Sequence, residues 1–371
     1  MRKQLSFFLS AFVSAIALGA GTDSTQITQP ARTLPPRNVI LVGWDGAQRE
    51  HVRECLQRGE LSALKALASE GSLRNIDVRG TTDTKAGWSQ ILTGYDPDVT
   101  GVYSNSRFQP VPRGLSVFER LKERFGPAFV TVAVIAKEQH CGEIRPPSKE
   151  PVTDAPANAA SSQGTNGNKT GANNHFVPEH GKPDAGTKII EENGVKYRVF
   201  PGSPYYYTKD ACNQWISGLI KDEAVGAKTI ELLEQYRDKP FFFFVHFAKA
   251  DQNGHAFGEN SKEYNDALIS NDAWTGRIVQ KLKDLGLYDK TLIYVTADHG
   301  FDEGKSSHKN APRVFLAAND PTVKRNGDRA DITPTILKRF GVDVTKLRPP
   351  LAGAPLDGPA KSSSRARPSK S

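Results

Sequence analysis

Three short apolar runs, each followed closely by an acidic residue, do most to limit the folds open to this chain. Asn38-Val-Ile-Leu-Val-Gly-Trp44 leads into Asp45, Phe241-Phe-Phe-Phe-Val245 precedes Asp251, and Thr291-Leu-Ile-Tyr-Val-Thr-Ala297 leads into Asp298. Runs of this length, rich in Val, Ile, Phe and Tyr, suit strands buried on both faces. Helical periodicity recurs around them: from residue 47 with a break near Gly59, and over 84–92, 115–125, 211–236, 262–285 and 331–340. Further strands are expected over 73–78 and 128–136, and another apolar run covers 313–318. This alternation predicts an α/β fold, a mostly parallel sheet sandwiched between helices. In open sheets of this kind ligands bind beyond the carboxyl ends of the strands, where the acidic residues fall.

The rhythm stops over 146–190, which is rich in Asn, Gly, Ser, Pro and Ala. That composition reads as a flexible insertion between two parts, 36–145 and 191–350, of a single domain. Asn168-Lys-Thr170 inside it matches an N-glycosylation acceptor. At the start, Arg2 and Lys3 precede an apolar stretch over 5–18 and then Gly19-Ala20-Gly21. Residues 1–21 therefore have the layout of a secretory signal peptide, which implies a secreted or periplasmic protein. The alternative is a retained anchor, but spanning takes about 20 apolar residues, and this shorter stretch carries Ser6, Ser10 and Ser14. No later segment is apolar enough to span, so no membrane span is expected after cleavage. The tail over 357–371, rich in Ser, Pro and basic residues, is expected to be disordered.

The net charge of +8 is concentrated at the termini. Arg2 and Lys3 at one end and Lys361, Arg365, Arg367 and Lys370 at the other supply six of these eight charges. The remainder is nearly neutral, which argues against binding to a nucleic-acid duplex. Of the three cysteines, Cys55 lies in a helical pattern and reads as a buried thiol, while Cys141 and Cys212 bracket the insertion and could be bridged. None has zinc-knuckle or redox spacing.

The candidate chemistry sits after the apolar runs. It comprises Asp45, then Asp251-Gln-Asn-Gly-His255, then Asp298-His299-Gly300, with His308 nine residues past His299. Carboxylate and imidazole together suit Zn²⁺ or a similar divalent ion. Singly, an Asp-Gly after a strand is usually a turn. Three acidic sites in order after three apolar runs read instead as the ligands of a two-metal hydrolase, with Thr84 as its nucleophile.

The segment Thr84-Lys-Ala-Gly-Trp-Ser-Gln-Ile-Leu-Thr-Gly94 resembles the nucleophile helix of the alkaline phosphatase superfamily. In its phosphodiesterase and sulfatase branches the nucleophile stands ten residues before the Gly of a Leu/Val-Thr-Gly triplet, the position of Thr84. The resemblance covers roughly 38–137 and 208–345. It implies one metal held by Asp251, His255 and His308, and a second held by Asp45, Asp298, His299 and the Thr84 oxygen. Metal coordination activates a hydroxyl that is a poor nucleophile on its own, and a helix N-terminus favours a phosphoryl anion. On its own residue type, Thr84 is equally a helix N-cap. Sulfatases carry a pattern resembling Cys/Ser-x-Pro-x-Arg here. This chain has Thr84-Lys-Ala-Gly-Trp88, with no residue convertible to formylglycine, so sulfatase chemistry is not expected.

Two further residues follow from the resemblance. Asn105, twenty-one residues past Thr84, is placed where related enzymes carry a phosphate-binding Asn. Lys137 ends the strand over 129–136, where some monoesterases have Lys-x-Arg, but Gln139 replaces the Arg. A plain loop Asn and a surface Lys are the alternatives. His140 and His246 read as structural histidines, and Tyr205-Tyr206-Tyr207 as either a stacking surface or a packed loop. The resemblance implies an enzyme acting on a small-molecule phosphate ester with two divalent ions, zinc first. A type I phosphodiesterase/nucleotide pyrophosphatase stands ahead of a phosphomonoesterase. A mutase or phosphotransferase is disfavoured because the stretch over 146–207 is too short and polar for the inserted domain of such mutases. An inactive binding protein is disfavoured because all six ligand candidates and Thr84 are present.

Overall fold

Strand β1 (Asn38–Trp44) is buried along its whole length and lies inside an eight-stranded sheet. The computed structural model describes residues 38–152, 188–311 and 313–359. After β1 come α1 (Arg49–Gln57), α2 (Ser62–Glu70), β2 (Ser72–Asp77), α3 (Thr84–Thr93), α4 (Pro97–Thr100) and α5 (Val117–Phe125). Then follow β3 (Val130–Ile135), β4 (Ser148–Pro151), β5 (Lys188–Glu192), β6 (Val195–Phe200), β7 (Gln214–Ile216) and α6 (Asp222–Gln235). The last part holds β8 (Phe241–Phe247), α7 (Lys249–Phe257), α8 (Lys262–Asp284), β9 (Thr291–Thr296), β10 (Arg313–Ala318), β11 (Gly327–Asp328) and α9 (Ile332–Arg339).

The large sheet runs β11-β2-β10-β9-β1-β8-β3-β7. Strand β10 is antiparallel to both its neighbours, and every other pairing in this sheet is parallel. The apolar runs become its central strands because a parallel strand covered on both faces needs apolar side chains in both directions. Neighbouring residues of β1 identify those faces. Trp44 Nε1 donates to Thr275 of α8 at 3.2 Å. A Cβ on Gly43 would lie 2.3 Å from the Trp88 ring of α3. Successive strand residues point to opposite faces, so α8 and α3 cover opposite sides of the sheet. Helices α2, α6 and α7 pack on α8, while α3 and α5 pack with α9.

The helix expected over 211–236 begins at Asp222, and part of the expected range is the edge strand β7. Val132 of β3 pairs with Gln214 of β7, and it is this non-local backbone pairing that draws Trp215 and Ile216 into the sheet. Within the expected flexible insertion, Ser148–Pro151 and Lys188–Glu192 are strands that both pair with β6 in a separate antiparallel sheet. Asn168 lies outside the described residues, as do the expected signal peptide and the tail from 360 onward. Cys55 is buried as expected, but Cys141 and Cys212 are free thiols. The β3–β7 register sets Cys212 level with the start of β3, while Cys141 lies past its end in the turn Glu138–Gly142. At about 3.3 Å per strand residue that is a gap of roughly 17 Å, against about 4–7 Å between the Cα atoms of a disulfide. Among the described residues no helix is long and apolar enough to cross a membrane.

Candidate metal centre and active site

The sheet order β9-β1-β8-β3 sets the carboxyl ends of four strands side by side. Asp298 follows β9, Asp45 follows β1, Asp251 lies in the first turn of α7 just after β8, and Lys137 follows β3. The run around Asp251 is helical despite its Asn and Gly. A Cβ on Gly254 would meet the Phe301 ring at 2.5 Å, so glycine is what lets α7 pack there. Helical spacing then puts His255 on the same face as Asp251, with Nε2 3.3 Å from Asp251 Oδ1. His308 arrives from the loop after Phe301 and stacks on His299 with centroids 4.0 Å apart.

Two candidate ligand groups result: Asp251, His255 and His308, and Asp45, Asp298 and His299. Within each group, one ligand atom per residue lies within 4.8 Å of the others. His299 Nε2 is 3.4 Å from Asp45 Oδ1 and 3.7 Å from Asp251 Oδ1, so the groups adjoin. Asp45 Oδ1, Asp251 Oδ1 and Asp298 Oδ2 are buried and make no hydrogen bond. A buried acceptor left this way costs about 1–3 kcal/mol, and more when charged. Burial and the neighbouring Asp45 push the Asp298 carboxyl well above its usual range. Burial opposes ionisation of Asp45 too, but the His246 hydrogen bond and the adjacent His299 hold it well below. Burial would lower His299, yet Asp298 and Asp45 raise it to about 10. Burial and the adjacent His299 push His308 down to about 4. Crowded carboxylates with open oxygens and imidazoles fit two divalent cations.

Thr84 is the first residue of α3 and is 2% exposed. The helix cap is Asp83, so Thr84 does not serve in that role. Its Oγ1 lies 3.3 Å from His299 Nε2 and so faces the second ligand group. Asn105 Oδ1 accepts from Lys85 N at 2.9 Å in the first turn of α3. The Asn105 Nδ2 group has no partner among the described residues. Lys137 Nζ contacts Asp251 Oδ2, so here the lysine neutralises a candidate ligand carboxylate.

His246, expected to be structural, donates from Nε2 to Asp45 Oδ2 at 2.8 Å and orients a ligand carboxylate. His140 sits in the turn after Lys137, its Nδ1 buried without a partner, and burial with Lys137 nearby pushes it down to about 4. Tyr205 is buried against Trp215, whereas Tyr206 and Tyr207 lie beneath the cations of Lys209 and Arg113. Sequence reasoning missed Arg329, which donates to the main-chain carbonyls of Asp298, Arg79 and Thr81. No motif marks it, because its partners are backbone atoms distant in the chain.

Residues 39–349 match the model of the type I phosphodiesterase/nucleotide pyrophosphatase family. The chain belongs to that family. Ectonucleotide pyrophosphatase/phosphodiesterase family member 1 of Rattus norvegicus is 37% identical over 307 residues, covering 81% of this chain and 28% of that protein. The human protein of the same name is 24% identical over 278 residues, covering 73% and 24%. The chain thus spans about a quarter of the length of these curated relatives. Among solved structures, an alkaline phosphatase superfamily protein from Vibrio parahaemolyticus superposes with a TM-score of 0.54 at 17% identity, over 89% of this chain and 72% of that one. That likeness shows that this phosphodiesterase-family chain shares its fold with an alkaline phosphatase superfamily protein.

Proposed function

We propose that this protein is an exported, two-metal phosphoric ester hydrolase that cleaves phosphodiester or nucleotide pyrophosphate bonds with Thr84 as nucleophile. The position of the Thr84 hydroxyl carries this reading: it sits at the start of α3, does not cap it, and lies 3.3 Å from His299. Asp251, His255 and His308 would hold one divalent ion, and Asp45, Asp298, His299 and Thr84 the other, with zinc the first choice. Such ions supply positive charge to the attacking and leaving oxygens of an in-line displacement. Thr84 Oγ attacks phosphorus, the bond to the leaving alcohol breaks, and the threonine proton departs with that alcohol. Water then splits the phospho-threonine, which restores the hydroxyl and releases a monoester. Asn105 Nδ2 donates to a non-bridging oxygen where charge gathers. With Lys137 engaged by Asp251, a monoanionic diester suits the site better than a dianionic monoester. The signal-like residues 1–21 support export.

The test compares a phosphate diester, a monoester and a sulfate ester sharing one leaving group, using the zinc-loaded protein. The diester should be cleaved fastest and the sulfate ester negligibly. Thr84→Ala should lower kcat by about 10³ or more, while Thr84→Ser keeps measurable activity. Wild-type turnover by Thr84→Ala would refute the mechanism.

A further inference from the structure

Arg329 is 1% exposed, yet among the described residues its guanidinium donates to main-chain carbonyls rather than to a carboxylate. It projects from the tight turn Arg329–Asp331, which is pinned by reciprocal bonds between Asp328 and Asp331 and by Arg325 donating to Asp331 Oδ2 at 2.9 Å. Nη1 donates to Asp298 O at 2.8 Å, and Nη2 donates to Arg79 O and Thr81 O, each at 3.0 Å. Nε is buried without a partner. Burying a cation that donates to main-chain carbonyls is costly, and the nearby Asp298 and Asp83 offset that cost only in part. These carbonyls belong to two separate segments. One is the ligand segment Asp298-His299; the other is the stretch over 79–83 that delivers Thr84 to the start of α3. Gly87 of α3 closes the junction, because a Cβ there would lie 2.8 Å from Asp298 Cβ and 2.9 Å from Arg329 Nη1.

We propose that Arg329 is a positioning residue that locks the Asp298-His299 segment to the segment entering α3. Thr84 Oγ and the Asp45–Asp298–His299 group then keep one fixed separation. The proposal rests on the two-metal, Thr84-nucleophile reading above. A planar guanidinium spans both segments with separate nitrogens, whereas the ammonium of a lysine keeps the charge but is a single point donor. Arg329→Lys therefore separates the bridge from the charge, and Arg329→Met removes both.

The test uses the full chain as wild type, Arg329→Lys, Arg329→Met and Thr84→Ala. Three properties are measured: kcat and KM on a diester, Zn²⁺ affinity by chelator competition with the visible spectrum of the Co²⁺-loaded protein, and thermal melting without metal. Arg329→Lys should melt close to wild type, and its kcat should fall about 10–100-fold, as for outer partners of metal ligands. Its KM should stay within about threefold, since substrate groups remote from the metal are untouched. Its Co²⁺ spectrum should change for one of two ions, and Zn²⁺ affinity should fall about 10–100-fold at that site only. Arg329→Met should lose more on every measure; if it fails to fold, Arg329→Lys carries the test alone. Wild-type kcat with an unaltered Co²⁺ spectrum in Arg329→Lys overturns the proposal. So does a loss of kcat that tracks only the unfolded fraction. If wild type leaves diesters intact, or Thr84→Ala stays fully active, the phosphodiesterase reading fails while the Co²⁺ and Zn²⁺ measurements still decide on Arg329. A wild-type chain that binds no divalent ion overturns both.

Discussion

At Asn105 the amide oxygen is occupied by the Lys85 N–H, which orients the two Nδ2 hydrogens away from α3 and leaves them for a ligand oxygen. Asn105→Ala should therefore lower kcat/KM on diester and monoester alike. An aligned donor of this kind contributes about 10²–10³ in rate, and paired steady-state assays on the two substrates check it. Lys137 is different because its ammonium already contacts Asp251. If it also reaches the non-bridging oxygens, Lys137→Ala should lower monoester kcat/KM more than diester kcat/KM, since the dianion carries more charge there. Equal, small losses on both substrates would confine the lysine to holding Asp251.

Between elements, Gly43 of β1 lies close against the Trp88 ring of α3. Gly43→Ala puts a methyl where the indole ring now lies. It should cost about 1–3 kcal/mol, as overpacking does, and shift α3 enough to lower kcat. Urea unfolding and turnover measured on the same variant check both effects. A second inter-element link joins α1 to the loop after α7, where His51 Nδ1 meets Glu259 Oε1 at 2.7 Å. Burial would lower the His51 pKa, but hydrogen bonds to Cys55 and Glu259 raise it from 6.5 to about 10. A histidine with a raised pKa contributes stability that is complete below the unfolded value. Its contribution is thus full below pH 6.5 and is lost as pH rises towards 10. Glu259→Gln should then cost about 3 kcal/mol at pH 6, the scale of a broken buried pair, and clearly less at pH 10. Equal losses at the two pH values in denaturant titrations would rule out a protonated His51.

For the whole molecule, two ligand groups predict close to two divalent ions per chain by elemental analysis. Chelation should abolish hydrolysis and lower Tm by several degrees, because a ligand at 100 times its Kd stabilises the folded state by about 2.7 kcal/mol. Full activity in a metal-free preparation contradicts the two-metal reading. The family and the α/β class were legible along the chain because both are written in local patterns. Apolar runs such as Phe241–Phe244 can be satisfied only inside a covered sheet, and the Thr84–Gly94 spacing follows from helix geometry. The same locality explains what was missed. The edge strand β7 exists because its backbone pairs with β3, and Trp215 and Ile216 carry no sign of that. The helix bearing Asp251 and His255 depends on a glycine facing Phe301. Cys141 and Cys212 bracket one insertion in sequence but sit at opposite ends of β3 in space. The sequence by itself pointed to the side chains that could bind metal, since all but His308 stand just past an apolar run or at helical spacing from one that does. Only the tertiary structure decided the turn of Lys137 onto Asp251 and the burial of Arg329 between two backbone segments. Those outcomes depend on strand order and on main-chain carbonyls far apart in the chain, which no local period encodes.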